Sequence, residues 1–125
     1  MLTRGRAIAT DGLEIAVDDG EEGTIVRLRG HVGIDSSPEL RDRLLGILRG
    51  QSAKAVIVDF TNVPYVDSSG IATLIEGLKI ARNLNITFCL RGLQGRLLHL
   101  FHVTGLLALF ETTGCGNASS APKAS

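Results

Sequence analysis

The chain has 125 residues, 44% of them apolar and 21% charged, so one globular domain with its own core is expected and a disordered chain is excluded. Thirteen Lys and Arg balance thirteen Asp and Glu, which argues against a broad basic footprint for nucleic acid and against a polybasic membrane anchor. Aromatics make up 4% with no Trp, so a base-stacking surface is not expected either.

Residues 1–11 carry Arg4 and Arg6 but no long apolar run, so they read as an N-terminal extension and not as a signal peptide. Leu13, Ile15 and Val17 then alternate with Glu14, Ala16 and Asp18, the period of a half-buried strand. An acidic turn, Asp18 to Gly23, leads to a second alternating run, Thr24 to Arg29, and the two runs predict a hairpin. Ser36-Ser37-Pro38-Glu39 is a helix start, with a serine to cap free N–H groups, Pro in the first turn and Glu at the positive dipole end. Leu40, Leu44, Ile47 and Leu48 mark its buried face, and Gly50 ends it.

The near-continuous apolar run Ala55 to Phe60 predicts a central strand covered on both faces. Residues 61–66 read as a loop, and a second helix starts near Ser69 with Ile71, Leu74, Ile75 and Leu78 as its stripe. Ile86 to Leu90 reads as a strand. Residues 94–110 read as helix with a break at Gly105, and 111–113 as a short last strand. Residues 114–125 read as a disordered tail, which leaves 12–113 as the domain. The sum is an α/β fold, with a mixed central sheet of about four to five strands and about three to four helices, an N-terminal β-hairpin and then alternating β and α. Cys89 and Cys115 lack metal or redox spacing and read as a buried thiol and a tail thiol, although one disulfide between them is open. No apolar stretch reaches the roughly 18 residues of a membrane span, and the expected location is the cytoplasm.

The informative segment is Val66-Asp67-Ser68-Ser69-Gly70-Ile71, at the edge between a buried strand and an amphipathic helix. Asp67, Ser68 and Ser69 are all capping types, so plain capping is one reading. The other is a phosphorylatable serine. A phosphate there meets free N–H donors and the positive dipole end, with Asp67 beside it adding repulsion. Gly70 lets another backbone approach.

Asp59-Phe60 followed by Val63-Pro64-Tyr65-Val66-Asp67-Ser68-Ser69-Gly70-Ile71 resembles the central motif of the STAS domain, in its anti-sigma factor antagonist group. Val26 to Val32, then Pro38-Glu39-Leu40, and Thr104-Gly105-Leu106 near Leu109-Phe110 are similar to further parts of that family, over roughly residues 12 to 113. The resemblance implies a bacterial partner-switching phosphoprotein in transcription regulation. Its unphosphorylated form binds a serine kinase that doubles as an anti-sigma factor and so frees the sigma factor. Phosphorylation by ATP switches it off, and a metal-dependent serine phosphatase restores it. Carried onto this chain, the phosphoacceptor is Ser68, with Asp67, Ser69, Gly70, Ile71 and His31 toward the partner. The family often has acidic residues where His31 and Gly33 stand here, and Asp35 is out of register. The family's final helix is missing or replaced by the tail, which favours self-association as a homodimer.

No Gly-x-Ser-x-Gly elbow and no phosphate loop ending in Lys-Ser/Thr occurs, so an enzyme is not expected. His99 and His102, three apart, are too few to hold a metal, and neither metal nor cofactor is expected. The competing reading is a STAS scaffold in another signalling complex, or an accessory subunit of a transporter.

Overall fold

The computed structural model describes residues 8–10, 12–21, 23–50 and 53–110. The alternating runs form a hairpin of two eight-residue strands, β2 (Leu13–Gly20) and β3 (Gly23–Gly30). A three-residue strand, β1 (Ile8–Thr10), pairs antiparallel with β2, in a segment to which the sequence gives no element. Helix α1 (Ser37–Arg49), β4 (Ala55–Asn62), α2 (Ser68–Asn83) and β5 (Thr87–Arg91) follow, and then α3 (Gly95–Val103) and α4 (Leu106–Phe110). The sheet order is β1-β2-β3-β4-β5, antiparallel from β1 to β3 and parallel from β3 to β5. The mixed α/β sheet with a leading hairpin is as expected.

The registers sort the side chains onto two faces. Leu13, Ile15, Val26, Leu28, Val56, Val58, Phe60, Phe88 and Leu90 join one core cluster with Leu40, Leu44 and Leu48 of α1, Leu74 and Leu78 of α2, and Leu97, Phe101 and Phe110 of α3 and α4. On the other face, Ile25, Ile57 and Cys89 are register partners and form a separate buried row. This row is flanked by the ion pairs Arg27–Asp18 and Arg91–Asp59. The in-and-out alternation of β3 therefore puts Ile25 opposite to Val26 and Leu28, as its phase implies.

Several boundaries move. β4 runs two residues past Phe60, to Asn62, because Arg29 pairs with Asn62 beyond a register shift. The long late helix breaks at Gly105, whose φ of +80° is a left-handed conformation that glycine tolerates best. Ser36 does not cap α1 with its hydroxyl. The Ser36 Oγ instead accepts from the Gly33 N–H at 3.0 Å and donates to the His31 carbonyl at 3.3 Å, which corrects the capping expectation. Cys89 is disulfide-bonded, where the sequence favours a free thiol, and Cys115 lies outside the described residues. The expected strand at 111–113 and the tail also lie outside them. Among the described residues, no helix is long and apolar enough to cross a membrane.

Candidate functional site

Two loops meet at the carboxyl ends of β3 and β4. Val32 and Val66 form an isolated parallel bridge that extends this strand pair. The Val32 N–H donates to the Tyr65 carbonyl at 3.1 Å, and the Asp67 N–H donates to the Val32 carbonyl at 2.9 Å. The loop before α1 is thereby fixed against the loop before α2. Local sequence explains the seam: both valines are β-formers and are buried, while Gly33 and Pro64 end the pairing on either side.

Asp67 is the N-cap of α2, in extended backbone conformation. One carboxylate oxygen, Oδ1, accepts from the Ser69 N–H at 2.9 Å, the Gly70 N–H at 3.2 Å and the Ser69 hydroxyl at 2.6 Å. The Ser69 hydroxyl is the main reason that the Asp67 carboxyl sits below the usual aspartate range. The amides of Gly70, Ser69 and Ile34 lower it further, and burial opposes them.

Ser68 and Ser69 are adjacent but differ in circumstance. Ser69 is half-buried and held by Asp67, and its Oγ lies 3.1 Å from the Ser37 Oγ across the helix pair. Ser68 opens α2 and is exposed, with a side chain that makes no hydrogen bond to the described residues. One expectation needs correction. The first N–H groups of α2 are not free for a phosphate, because Asp67 already takes those of Ser69 and Gly70. A phosphate on Ser68 would gain the dipole but not those donors, and it would stand beside an ionised carboxylate.

Gly70 also differs from expectation. It is buried, and a Cβ there would lie 2.7 Å from both Val32 Cγ1 and Val66 Cγ1. The close approach that it permits is to the strand seam of its own chain, not to a partner. Ile71 is half-buried and packs on the core. His31 is exposed, and its ring meets the Tyr65 ring edge-on at 6.4 Å between centroids. At Gly33 a Cβ would come within 3.0 Å of Asp67 Oδ2, so an acidic side chain there would crowd the capping carboxylate.

Sequence reading missed two surface residues. Ile34 is 74% exposed and Tyr65 is 56% exposed, one on each loop of the seam that carries Ser68. Their signal was an apolar residue inside a loop, which is unremarkable until the fold brings the two loops together. His99 and His102 are exposed on α3, and the described residues contain no group of three or more His, Cys, Asp or Glu placed to hold a metal.

Comparison with known proteins gives a consistent picture. A family model described as the STAS domain matches residues 13–116. The anti-sigma-B factor antagonist of Bacillus subtilis is 27% identical over 100 residues, covering 79% of this chain and 89% of that protein. Among solved structures, an anti-sigma factor antagonist from Mycobacterium paratuberculosis aligns with a TM-score of 0.67 at 21% identity, over 82% of this chain and 86% of the other. The Bacillus cell fate determinant SpoIIAA, in its phosphorylated form, aligns with a TM-score of 0.63 at 15% identity, over 77% and 86%.

Proposed function

The chain belongs to the STAS domain family, and on that premise we propose that it is an anti-sigma factor antagonist switched by phosphorylation of Ser68. The unmodified form binds a serine kinase that is also an anti-sigma factor, and the sigma factor is released. The kinase then transfers a phosphoryl group from ATP. The Ser68 Oγ bonds to the γ-phosphorus, the bond to the ADP oxygen breaks, and the serine proton leaves to a base on the kinase. A serine phosphatase reverses the change by hydrolysis. The protein acts by binding and supplies no catalysis of its own.

The observation that carries this reading is the state of Ser68: an exposed, unengaged hydroxyl at the start of α2, on a seam that also presents Ile34, Tyr65 and His31. The named role of the Bacillus subtilis relative supports the partner class. The mechanism is local electrostatics. A phosphate adds about −1.5 to −2 charge at neutral pH. Next to Asp67, and without the N–H donors that Asp67 has taken, that charge stays uncompensated. A desolvated like-charge contact in an interface costs roughly several kcal/mol, which is orders of magnitude in affinity.

A pull-down with the unmodified protein, followed by identification of the captured chain, tests the reading. Recovery of an ATP-dependent serine kinase is the expected result. Recovery of a transporter subunit or another signalling scaffold would replace it. With the kinase in hand, Ser68→Ala binds as wild type does but cannot be switched off, and Ser68→Asp binds at least about tenfold more weakly. Wild-type affinity in Ser68→Asp would refute the charge mechanism.

A further inference from the structure

Two neighbouring hydroxyls face the same kinase, and something must decide between them. Ser69 has a single proton, and the Asp67 carboxylate at 2.6 Å can only accept it. Ser37 therefore stands on the acceptor side of Ser69, at 3.1 Å between oxygens. Ser37 has one proton of its own, shared between the Ser69 Oγ and the Gly33 carbonyl, which is 2.7 Å away. Only 6% of Ser37 is exposed, so water is largely kept from its hydroxyl.

From this geometry we infer that Ser37 is a positioning residue that makes the switch specific to Ser68 by holding the neighbouring Ser69 hydroxyl out of reaction. The inference rests on the phosphorylation reading above. A serine oxygen attacks a γ-phosphorus only with a lone pair aimed at it and a proton free to leave. In Ser69 the proton is committed to Asp67, and a lone pair faces Ser37. In Ser68 neither is engaged. The Ser37 hydroxyl also ties the first turn of α1 to the first turn of α2, so Ser69 cannot rotate outward without breaking a contact between the two helices.

The test combines site mapping with a measurement that needs no kinase. The proteins are treated with ATP and the serine kinase captured by the unmodified chain, and phosphate is located by mass spectrometry. Wild type carries phosphate on Ser68 alone, and Ser68→Ala carries none on Ser69. In the double variant Ser37→Ala/Ser68→Ala, phosphate appears on Ser69, at least about fivefold above the detection limit that Ser68→Ala does not reach, the effect of removing one hydrogen bond. Ser37→Thr/Ser68→Ala, which returns a hydroxyl, falls back to the Ser68→Ala level. A purely structural role for Ser37 would lower total modification without redirecting it. Phosphate on Ser69 in Ser68→Ala, or no gain in the double variant, overturns the inference.

Independently, the Asp67 carboxyl is titrated by carbon NMR in wild type and in Ser37→Ala, with the amide spectrum as the check on folding. Loss of Ser37 loosens the Ser69 hydroxyl, and the Asp67 midpoint moves up toward the ordinary aspartate range. An unchanged midpoint overturns the inference. If the captured chain is no kinase, or wild type accepts no phosphate while the Asp67 midpoint still moves, the proposed function fails and the hold of Ser37 on Ser69 stands.

Discussion

Asp67 carries the first turn of α2 on one oxygen, and this sets how the site responds to acid. Its folded pKa is lowered, with the Ser69 hydroxyl as the largest cause. Its contribution to stability is therefore complete above the ordinary aspartate range and is lost as pH falls through the lowered folded value. Asp67→Ala is expected to lower the melting temperature at neutral pH, with the gap to wild type closing in acid; thermal unfolding across that range checks both. Gly70 gives a second prediction. A methyl group there meets Val32 and Val66 at 2.7 Å. Overpacking of this kind costs about 1–3 kcal/mol, which outweighs the ~1 kcal/mol that alanine gains over glycine in a helix. Gly70→Ala should destabilise the chain in urea unfolding. Asp67 and Ser69 were legible as capping types from the sequence, but which serine is held and which is free was not, because Ser37 lies 32 positions away.

At the scale of elements, the helices obey their apolar stripes. Leu40, Leu44 and Leu48 of α1 and Leu74 and Leu78 of α2 are buried in the common core, as their spacing requires. Gly46 lies mid-helix in α1, is exposed, and has nothing within 4 Å of an added Cβ. Gly46→Ala is thus expected to stabilise the protein by about 0.5–1 kcal/mol, opposite in sign to Gly70→Ala, because only the propensity term acts. The two substitutions measured side by side separate packing from propensity. Arg41 and Glu76 clamp α1 to α2 with two hydrogen bonds of 2.7 Å, which raise the guanidinium pKa and lower the carboxyl pKa. The pair is part-exposed, so its effect is screened by salt. What the sequence misread at this scale is short or terminal. β1 is three residues long, too short to show a period, and the two last residues of β4 are polar but paired through the backbone. The Ser36 hydroxyl is engaged in the loop by the Gly33 N–H and the His31 carbonyl and does not cap the helix amides.

At the scale of the molecule, four phenylalanines join the late helices to the sheet. Phe60 and Phe101 lie 6.4 Å apart between ring centroids, Phe101 and Phe110 6.4 Å, and Phe88 and Phe110 6.0 Å. Phe101 is fully buried among them. Phe101→Ala is expected to cost about 3–5 kcal/mol, measured by chemical denaturation, because it removes a fully buried ring that packs against Phe60 of β4 and Phe110 of α4. The helices share one face of the sheet, and the cross-strand ion pairs lie on the other, while Arg41–Glu76 joins α1 to α2. The neutral balance of charge noted from composition is thus made locally, by cross-strand pairs such as Arg27–Asp18 and Arg91–Asp59. A phosphate on Ser68 would stand beside Asp67, the N-cap of α2, which is of the same sign.

The sequence by itself determined the class of fold, the hairpin, the buried stripes and the segment that bears the candidate switch. Each of these is written in neighbouring residues, as a period of two, a period near 3.6 or a run of capping types. Only the tertiary structure decided the pairing of the two loops through Val32 and Val66, the exposure of Ile34 and Tyr65 on one surface, and the division of labour between Ser68 and Ser69. Those properties depend on contacts between residues 32 and 66 and between 37 and 69. No local pattern records such contacts, because they come into being only when the sheet sets β3 beside β4.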